Sequence, residues 1–333
     1  MAVERERVTL TIAEGRALGE RALRGIGYGD DEARIIADHV IDAALCGYEY
    51  SGLAKILNIP EHQRFKAPRR TMRVLRETAV STLFDGGNEV GMIALYHAAK
   101  AAIAKAGAQG IALIAVTNTW MSGRSAYYVE MIARADLAAI HTASSTRMVA
   151  PLGGTRPILG TNPIAFAVPS TRDPVILDMG TSAFMMTELM LRERLGQDLP
   201  AGVALDGEGH PTRDPTAARR GALLPFGGHK GFGLAFFIHA FGVLAGASLD
   251  LDGDNGYLII AFKPDLLLPL AEVKREISAL VDRVKAVPRQ DGVTEIRIPS
   301  EQSFRNRARA LAEDRIEIDR SVYDALERLA ARR

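Results

Sequence analysis

A single cysteine, Cys46, stands among 333 residues. That excludes an intrachain disulfide and any metal centre built on several thiolates. It fits a reducing compartment, and the cytoplasm is the expected location. Charge of one sign is equally scarce: 41 Lys and Arg stand against 40 Asp and Glu, a net charge of +1. No basic excess asks for a nucleic acid, and no charged block asks for an anionic membrane. Residues 1–11 are charged and contain no apolar stretch, so no signal peptide is expected. The longest apolar run, 231–247, contains His239 and several glycines; its length and composition suit a buried helix better than a membrane span. Familiar signatures are missing too. No G-x-G-x-x-G follows a strand, and there is no P-loop, no G-x-S-x-G elbow and no H-E-x-x-H. An ordinary Rossmann domain is therefore not supported by its own fingerprint. The seven histidines show no metal-ligand spacing, and no metal site is expected.

Apolar residues make up 47% and charged residues 24%, the balance of a globular protein with more than one core. Helices are expected over 9–46, interrupted at Gly27 and Gly29, with Ile36, Val40 and Ala44 at helical spacing. A loop over 60–72 precedes a strand at 74–84, a loop at 86–91, an alanine-rich helix at 92–106 and a strand at 111–116. A short helix at 127–135 and a strand at 138–142 follow. Short apolar runs at 164–168 and 175–177 lie between turns and read as sheet. Residues 183–196 read as helix and 197–228 as a long polar loop. Then come the apolar helix, a strand at 257–262, an amphipathic helix at 268–287, a strand at 295–298, and helices at 303–312 and 321–331. This is an α/β or α+β mixture.

The polar and glycine-rich chemistry concentrates between 118 and 182. Asn118-Thr-Trp-Met-Ser-Gly123, Ala150-Pro-Leu-Gly-Gly154, Gly160-Thr-Asn-Pro163 and Asp178-Met-Gly-Thr-Ser182 each adjoin an apolar run. Such loops offer N–H groups and hydroxyls that suit phosphates and sugars, or they are plain turns. Gly227-Gly-His-Lys-Gly231 opens the apolar helix. A lysine there opposes the helix dipole, which points to an anionic partner or to a solvated turn. Ser51 and Lys55 share a face at i,i+4 if their segment is helical.

Together these strings resemble the type-2 malate/L-lactate dehydrogenases, a family that also holds sulfolactate and ureidoglycolate dehydrogenases and the piperideine-2-carboxylate and pyrroline-2-carboxylate reductases. Asp85-Gly-Gly-Asn-Glu-Val-Gly91, Ile296-Arg-Ile-Pro-Ser-Glu301 and 206–215 extend the match. The resemblance implies a non-Rossmann NAD(P)-binding fold of the L-sulfolactate dehydrogenase type. In it a central, largely antiparallel sheet domain binds the cofactor, and a mainly helical domain is formed from both termini. The implied division is 1–75 with 265–333 as the substrate-side domain, and 76–264 as the cofactor domain with an insertion at 190–230. Also implied are a homodimer and a small carboxylate-bearing substrate lying between the domains. The implied cofactor contacts are Asn118, Ser122, Gly123, Arg124, Ser144, Gly160, Thr161, Asn162, Pro163, Asp178, Thr181, Ser182, His229, Lys230 and Gly231. NADPH is the expected cofactor, with Arg124 and Arg156 facing a 2′-phosphate; NADH is the alternative.

The departures concern proton chemistry. Where the family reads Ser-His-Gly-x-x-Arg, this chain has Tyr50-Ser-Gly-Leu-Ala-Lys55, so the proton-donating His falls on Ser51 and the carboxylate-binding Arg on Lys55. A second family His falls on Met121, a common Asn falls on Ser144, and Arg147 is added nearby. A ketone needs a proton as its alkoxide develops, whereas an imine nitrogen is protonated beforehand. Three readings follow. The first is an NAD(P)H-dependent reductase of a carboxylate-bearing cyclic imine, with Ser51, Tyr50 and Asp178 at the reacting centre and Lys55, Tyr48, Met121 and Arg147 around the substrate. The second is a 2-hydroxy-acid dehydrogenase whose donor is Tyr50. The third is a cofactor-binding protein with little chemistry of its own.

Overall fold

The computed structural model describes residues 6–248 and 255–332; the first five residues of the charged N-terminal stretch lie outside that range. The chain divides into two compact units, one of residues up to Pro68 with those from Glu301 onward, the other Arg69–Ser300. The first unit opens with β1 (Arg7–Leu10), α1 (Ile12–Gly25) and α2 (Asp30–Leu45), followed by 3-10 turns at Glu49–Ser51 and Leu53–Asn58. The second unit holds β2 (Arg73–Glu77), β3 (Ser81–Val90), α3 (Gly91–Gln109), β4 (Ile111–Trp120), α4 (Ser125–Ala133), β5 (Ala138–Ala143), β6 (Ile164–Val168) and β7 (Val175–Met179). It continues with α5 (Met186–Arg194), β8 (Ala204–Leu205), α6 (Pro215–Arg220), β9 (Ala222–Leu223), α7 (His229–Leu244), β10 (Tyr257–Phe262) and α8 (Leu270–Lys285). The chain returns to the first unit with α9 (Glu301–Glu313), β11 (Ile316–Asp319) and α10 (Arg320–Ala330).

In the first unit, α1 starts at a reciprocal cap: the Thr11 hydroxyl accepts from the Glu14 N–H at 3.1 Å, and Glu14 accepts the Thr11 N–H at 2.8 Å. Residues 9 and 10, expected to begin a helix, belong instead to β1 because β11 pairs with residues 7–10 across the length of the chain. No local pattern announces such a partner. The apolar faces of α1, α2 and α10 enclose Leu23, Ile36, Ile41, Ile56 and Leu326.

The second unit is built on a seven-stranded sheet of order β2-β3-β4-β10-β5-β6-β7. Only the β3–β4 pair is parallel. The single strand expected at 74–84 is a hairpin, and the loop expected at 86–91 is the end of β3. Gly87 and Asn88 both have positive φ there, and the register against β4 shifts between Asp85 and Glu89. The helices α3 and α4 pack on the sheet. Leu113, Ile260, Ile140, Phe166 and Leu177 lie side by side in register across five strands, with Leu113, Phe166 and Leu177 exposed.

Four further expectations change. The polar stretch 197–228 contains β8, α6 and β9, and with α5 it encloses a small core of Leu189, Leu199, Ala204 and Leu223. Residues 295–298 form no strand. The apolar helix α7 buries only Gly231, Ala235, Ile238 and Gly242, whereas Phe237 is 63% and Leu244 is 74% exposed. Its sequence is apolar all round, so it carries no signal of which face is inside. Residues 265–300, expected with the terminal segments, cluster with the sheet. Among the described residues no helix is long and apolar enough to cross a membrane.

Candidate active site

Two groups of expected site residues emerge, one in each unit. The first follows α2. There Gly47 turns the chain with φ 90°, and the Asn306 amide of α9 donates to the Cys46 carbonyl at 3.2 Å. The Tyr48 hydroxyl shares a 3.0 Å hydrogen bond with the Ser303 hydroxyl, and its ring meets Tyr50 edge to face with centroids 6.0 Å apart. Ser51 is 6% and Lys55 4% exposed. The i,i+4 face expected for them does not form, because Gly52 separates two 3-10 turns with three residues per turn. Burial lowers the Lys55 amine from 10.5 to about 8. Ser51 supplies a hydroxyl and no acid near neutrality.

The second group lies at the ends of the sheet strands. The strings around Asp85 and Asn118, read separately in sequence, lock together. The Asn118 amide donates to Asp85 at 2.6 Å, Thr119 donates to the Glu89 carbonyl at 2.6 Å, and the Trp120 indole donates to the Asn88 carbonyl at 3.1 Å. Burial pushes the Asp85 carboxyl up. The Gly87 N–H, Asn118 and Arg73 outweigh it and hold the group below its ordinary value. The loop beyond β4 is bent: Asn118, Met121 and Gly123 all have positive φ. For Met121, which has a Cβ and a long side chain, that conformation costs about 1 kcal/mol and belongs to loops held in place for a purpose. Met121, Ser122, Gly123 and Arg124 are half-buried.

Asp178 sits at the end of β7, where its carboxylate accepts the Ala126 N–H at 2.7 Å, at the start of α4. Burial raises this carboxyl; the Ala126 N–H, the Arg124 charge and the Ser125 N–H oppose the rise without cancelling it. Its place at the helix start gives it a structural task that the sequence does not announce.

The remaining motifs interlock. Thr181 donates its N–H to the Thr161 carbonyl at 2.8 Å and its hydroxyl to the same carbonyl at 3.0 Å. Asn162 accepts the Ser145 N–H at 3.0 Å and donates to the Ala235 carbonyl of α7 at 2.9 Å. Gly160 packs on Ser145, and Pro163 accepts the Ala143 N–H at 3.1 Å. The Ser144 hydroxyl takes the Gly256 N–H at 2.8 Å, and Ser182 donates to the Phe184 carbonyl at 2.7 Å. Asn162, Thr181 and Ser144 are fully buried. The polar side-chain atoms of these signature residues are thus engaged within the protein; Asn162 holds the middle of α7 at Ala235, and the Phe226 N–H donates to the Thr181 carbonyl just ahead of its start. There Gly228 has φ 60°, and a Cβ on Gly231 would collide with the Phe226 carbonyl. His229 and Lys230 are exposed at this N-terminus. Arg147 is half-buried and its charge, after burial, helps to lower the His239 imidazole of α7. Sequence reasoning missed His239, whose Nδ1 is buried without a hydrogen-bond partner.

Comparison with known proteins agrees with this architecture. A family model described as malate/L-lactate dehydrogenase matches residues 10–327. The chain is 30% identical to the malate/(S)-sulfolactate dehydrogenase of Methanothermus fervidus, over 95% of this chain and 96% of that protein. It is 31% identical to the Δ1-pyrroline-2-carboxylate/Δ1-piperideine-2-carboxylate reductase of Pseudomonas aeruginosa, over 96% and 98% respectively. The crystal structure of a dehydrogenase from Sinorhizobium meliloti superposes with a TM-score of 0.89 at 29% identity, covering 98% of this chain and 99% of that one. With a mostly antiparallel central sheet, interlocked signature loops and these relatives, the chain belongs to the malate/L-lactate dehydrogenase family of NAD(P)-dependent oxidoreductases.

Proposed function

We propose that this protein reduces the C=N bond of a carboxylate-bearing cyclic imine, with NADPH as donor. The observation that carries the reading is Ser51, a buried hydroxyl where the family resemblance expects an imidazole. A ketone taking hydride becomes an alkoxide and needs an acid at that moment. An imine is protonated before hydride arrives and leaves as a neutral amine, so loss of the imidazole costs it less. The pyrroline/piperideine reductase among the relatives supports the same substrate class.

The second unit fits a dinucleotide. Gly227 and Gly228 present open backbone, Lys230 stands exposed at the N-terminus of a sixteen-residue helix, and Arg156 is exposed with no ion pair among the described residues. Phosphates suit such a helix start, and a guanidinium suits a 2′-phosphate. Reduced nicotinamide supplies the hydride when bound. Arg124 and Lys230 hold phosphate charge, Asp178 holds the start of α4 beside Arg124, and Arg147 offers positive charge to a carboxylate. The exposed Phe237 and Leu244 of α7 and the Leu113–Phe166–Leu177 row support a homodimer, because apolar surface of this extent is seldom left to water. We place the protein in the cytoplasm, in keeping with its single, buried cysteine, Cys46.

A second reading, 2-hydroxy-acid dehydrogenase, has its own support in Lys55, whose amine is an acid near neutral pH. NADPH oxidation assayed with piperideine-2-carboxylate, pyrroline-2-carboxylate, pyruvate, oxaloacetate and sulfopyruvate separates the two. Turnover of a cyclic imine above all keto acids is expected; turnover of keto acids alone overturns the imine reading.

A further inference from the structure

Lys55 is the one side chain of the first group whose acidity the imine reading leaves unused. Its segment packs against α1, α2, α10 and the turn at Glu49–Ser51. Four carboxylates on those elements are engaged with arginines: Asp38 pairs with Arg16, Asp42 with Arg307 at 2.7 Å, Glu49 with Arg7 at 2.6 Å and Glu327 with Arg21 at 2.8 Å; the buried imidazole on them is His39 of α2. No carboxylate among the described residues forms an ion pair with Nζ of Lys55, and loss of hydration alone accounts for its lowered pKa. A lysine that is 4% exposed and lacks a counterion is uncommon, because a buried ammonium is costly. A role as permanent anchor for a carboxylate favours the opposite: a guanidinium, always charged and bidentate, which the family resemblance has here. What lysine offers instead is a proton that leaves. Ser51, four residues earlier and also buried, offers none.

We infer that the Lys55 ammonium donates the proton to the substrate's nitrogen or oxygen, taking over as acid where Ser51 has displaced the imidazole, and does not serve chiefly as a carboxylate anchor. This rests on the oxidoreductase reading and holds for either substrate class. For an imine, one Nζ–H bond breaks as the N–H bond of the iminium forms, before the adjacent carbon takes a hydride from reduced nicotinamide; for a ketone, one Nζ–H bond breaks as the O–H bond of the developing alkoxide forms. Lysine leaves the step neutral, and solvent returns its proton. With a pKa lowered to about 8, the amine is mostly charged at neutral pH and still gives its proton up readily.

The test uses the full chain, with Lys55→Arg and Lys55→Met variants, assayed against pH with whichever imine or keto acid the unaltered protein turns over best. Wild-type kcat/KM is expected to fall above a pH of about 8. Lys55→Arg keeps the charge but loses the labile proton, so kcat is expected to fall roughly 100-fold or more, with KM little changed. In the absence of substrate, NMR of the 13C-dimethylated protein is expected to show one lysine, missing from Lys55→Arg, titrating near 8. Retention of kcat by Lys55→Arg with an unchanged pH profile overturns the inference in favour of an anchor. So does an amine titrating at its ordinary value. NADPH binding and cooperative melting of each variant separate loss of chemistry from loss of fold. A wild-type protein that oxidises NADPH with none of the substrates is a different result: it removes the oxidoreductase reading itself, and this inference with it.

Discussion

Replacing Lys55 by Met should make the protein more stable while making it less active. The amine drops from 10.5 to about 8 on folding, and each tenfold gain in acidity is worth about 1.4 kcal/mol, so holding the ammonium inside costs about 3 kcal/mol. The sign follows from proton binding. Between about 8 and 10.5 the unfolded chain holds this proton and the folded chain has lost it, so stability rises with pH across that window. Below it both forms are protonated, and the full cost is present at pH 7. Methionine matches the lysine stem in length and has no charge to desolvate. Urea unfolding followed by circular dichroism should therefore give Lys55→Met a gain at pH 7 approaching about 3 kcal/mol, which shrinks as the pH approaches 10.5. A variant less stable than wild type at pH 7, or a difference independent of pH, would refute the reasoning, because the amine would then be well solvated or paired. A protein that retains such a cost at one position is trading stability for chemistry.

Other outcomes follow from the same structure. His141 is fully buried, and loss of hydration lowers its imidazole to about 4. The unfolded chain takes up this proton first as pH falls below 6.5, so stability is lost between about 6.5 and 4; a shallower acid-unfolding curve for His141→Gln than for wild type checks this. Asn162→Ala strips a partner from the Ser145 N–H and the Ala235 carbonyl, and should cost about 2–4 kcal/mol in unfolding measurements while raising KM for NADPH by loosening α7 from its loop. Ser51→His returns an imidazole to the first group; the kcat/KM ratio of keto acid to imine should rise by about tenfold or more, and an unchanged ratio would show that position 51 does not face the reacting atoms. Gly231→Ala should weaken NADPH binding, read by fluorescence titration, because its methyl group collides with the Phe226 carbonyl.

Motif order in the sequence is enough to place the chain in its family and to anticipate a sheet that is not of Rossmann type. The helices α3 and α10 are visible because composition and period agree with their packing; α8 is visible from its period alone, for it buries only Ser278. Pairings between distant segments are not visible. The β1–β11 ladder depends on residues 7–10 meeting 316–319, and neither tetrapeptide is unusual alone. The hairpin of β2 and β3 reads as one strand because Thr78 to Ser81 lacks the glycine or proline that usually marks a turn. The signature residues read as ligand contacts because glycine, hydroxyl and amide side chains serve both purposes. Only coordinates show that Asn162, Thr181 and Ser144 spend their polar atoms on neighbouring loops. The absence of an imidazole at Ser51 is legible at once. The burial of Lys55 without an ion pair among the described residues is not, since it depends on how α1, α2 and α10 pack around its segment.

Hydride delivery to a carbon–nitrogen double bond can be followed atom by atom. NADPH carrying deuterium at the transferable position of C4, incubated with the protein and piperideine-2-carboxylate, should yield pipecolate with one deuterium on the carbon next to the carboxylate for each cofactor oxidised. Deuterium found in lactate, malate or sulfolactate from the matching keto acids, with unlabelled cyclic substrate left untouched, would contradict an imine reductase built on Ser51.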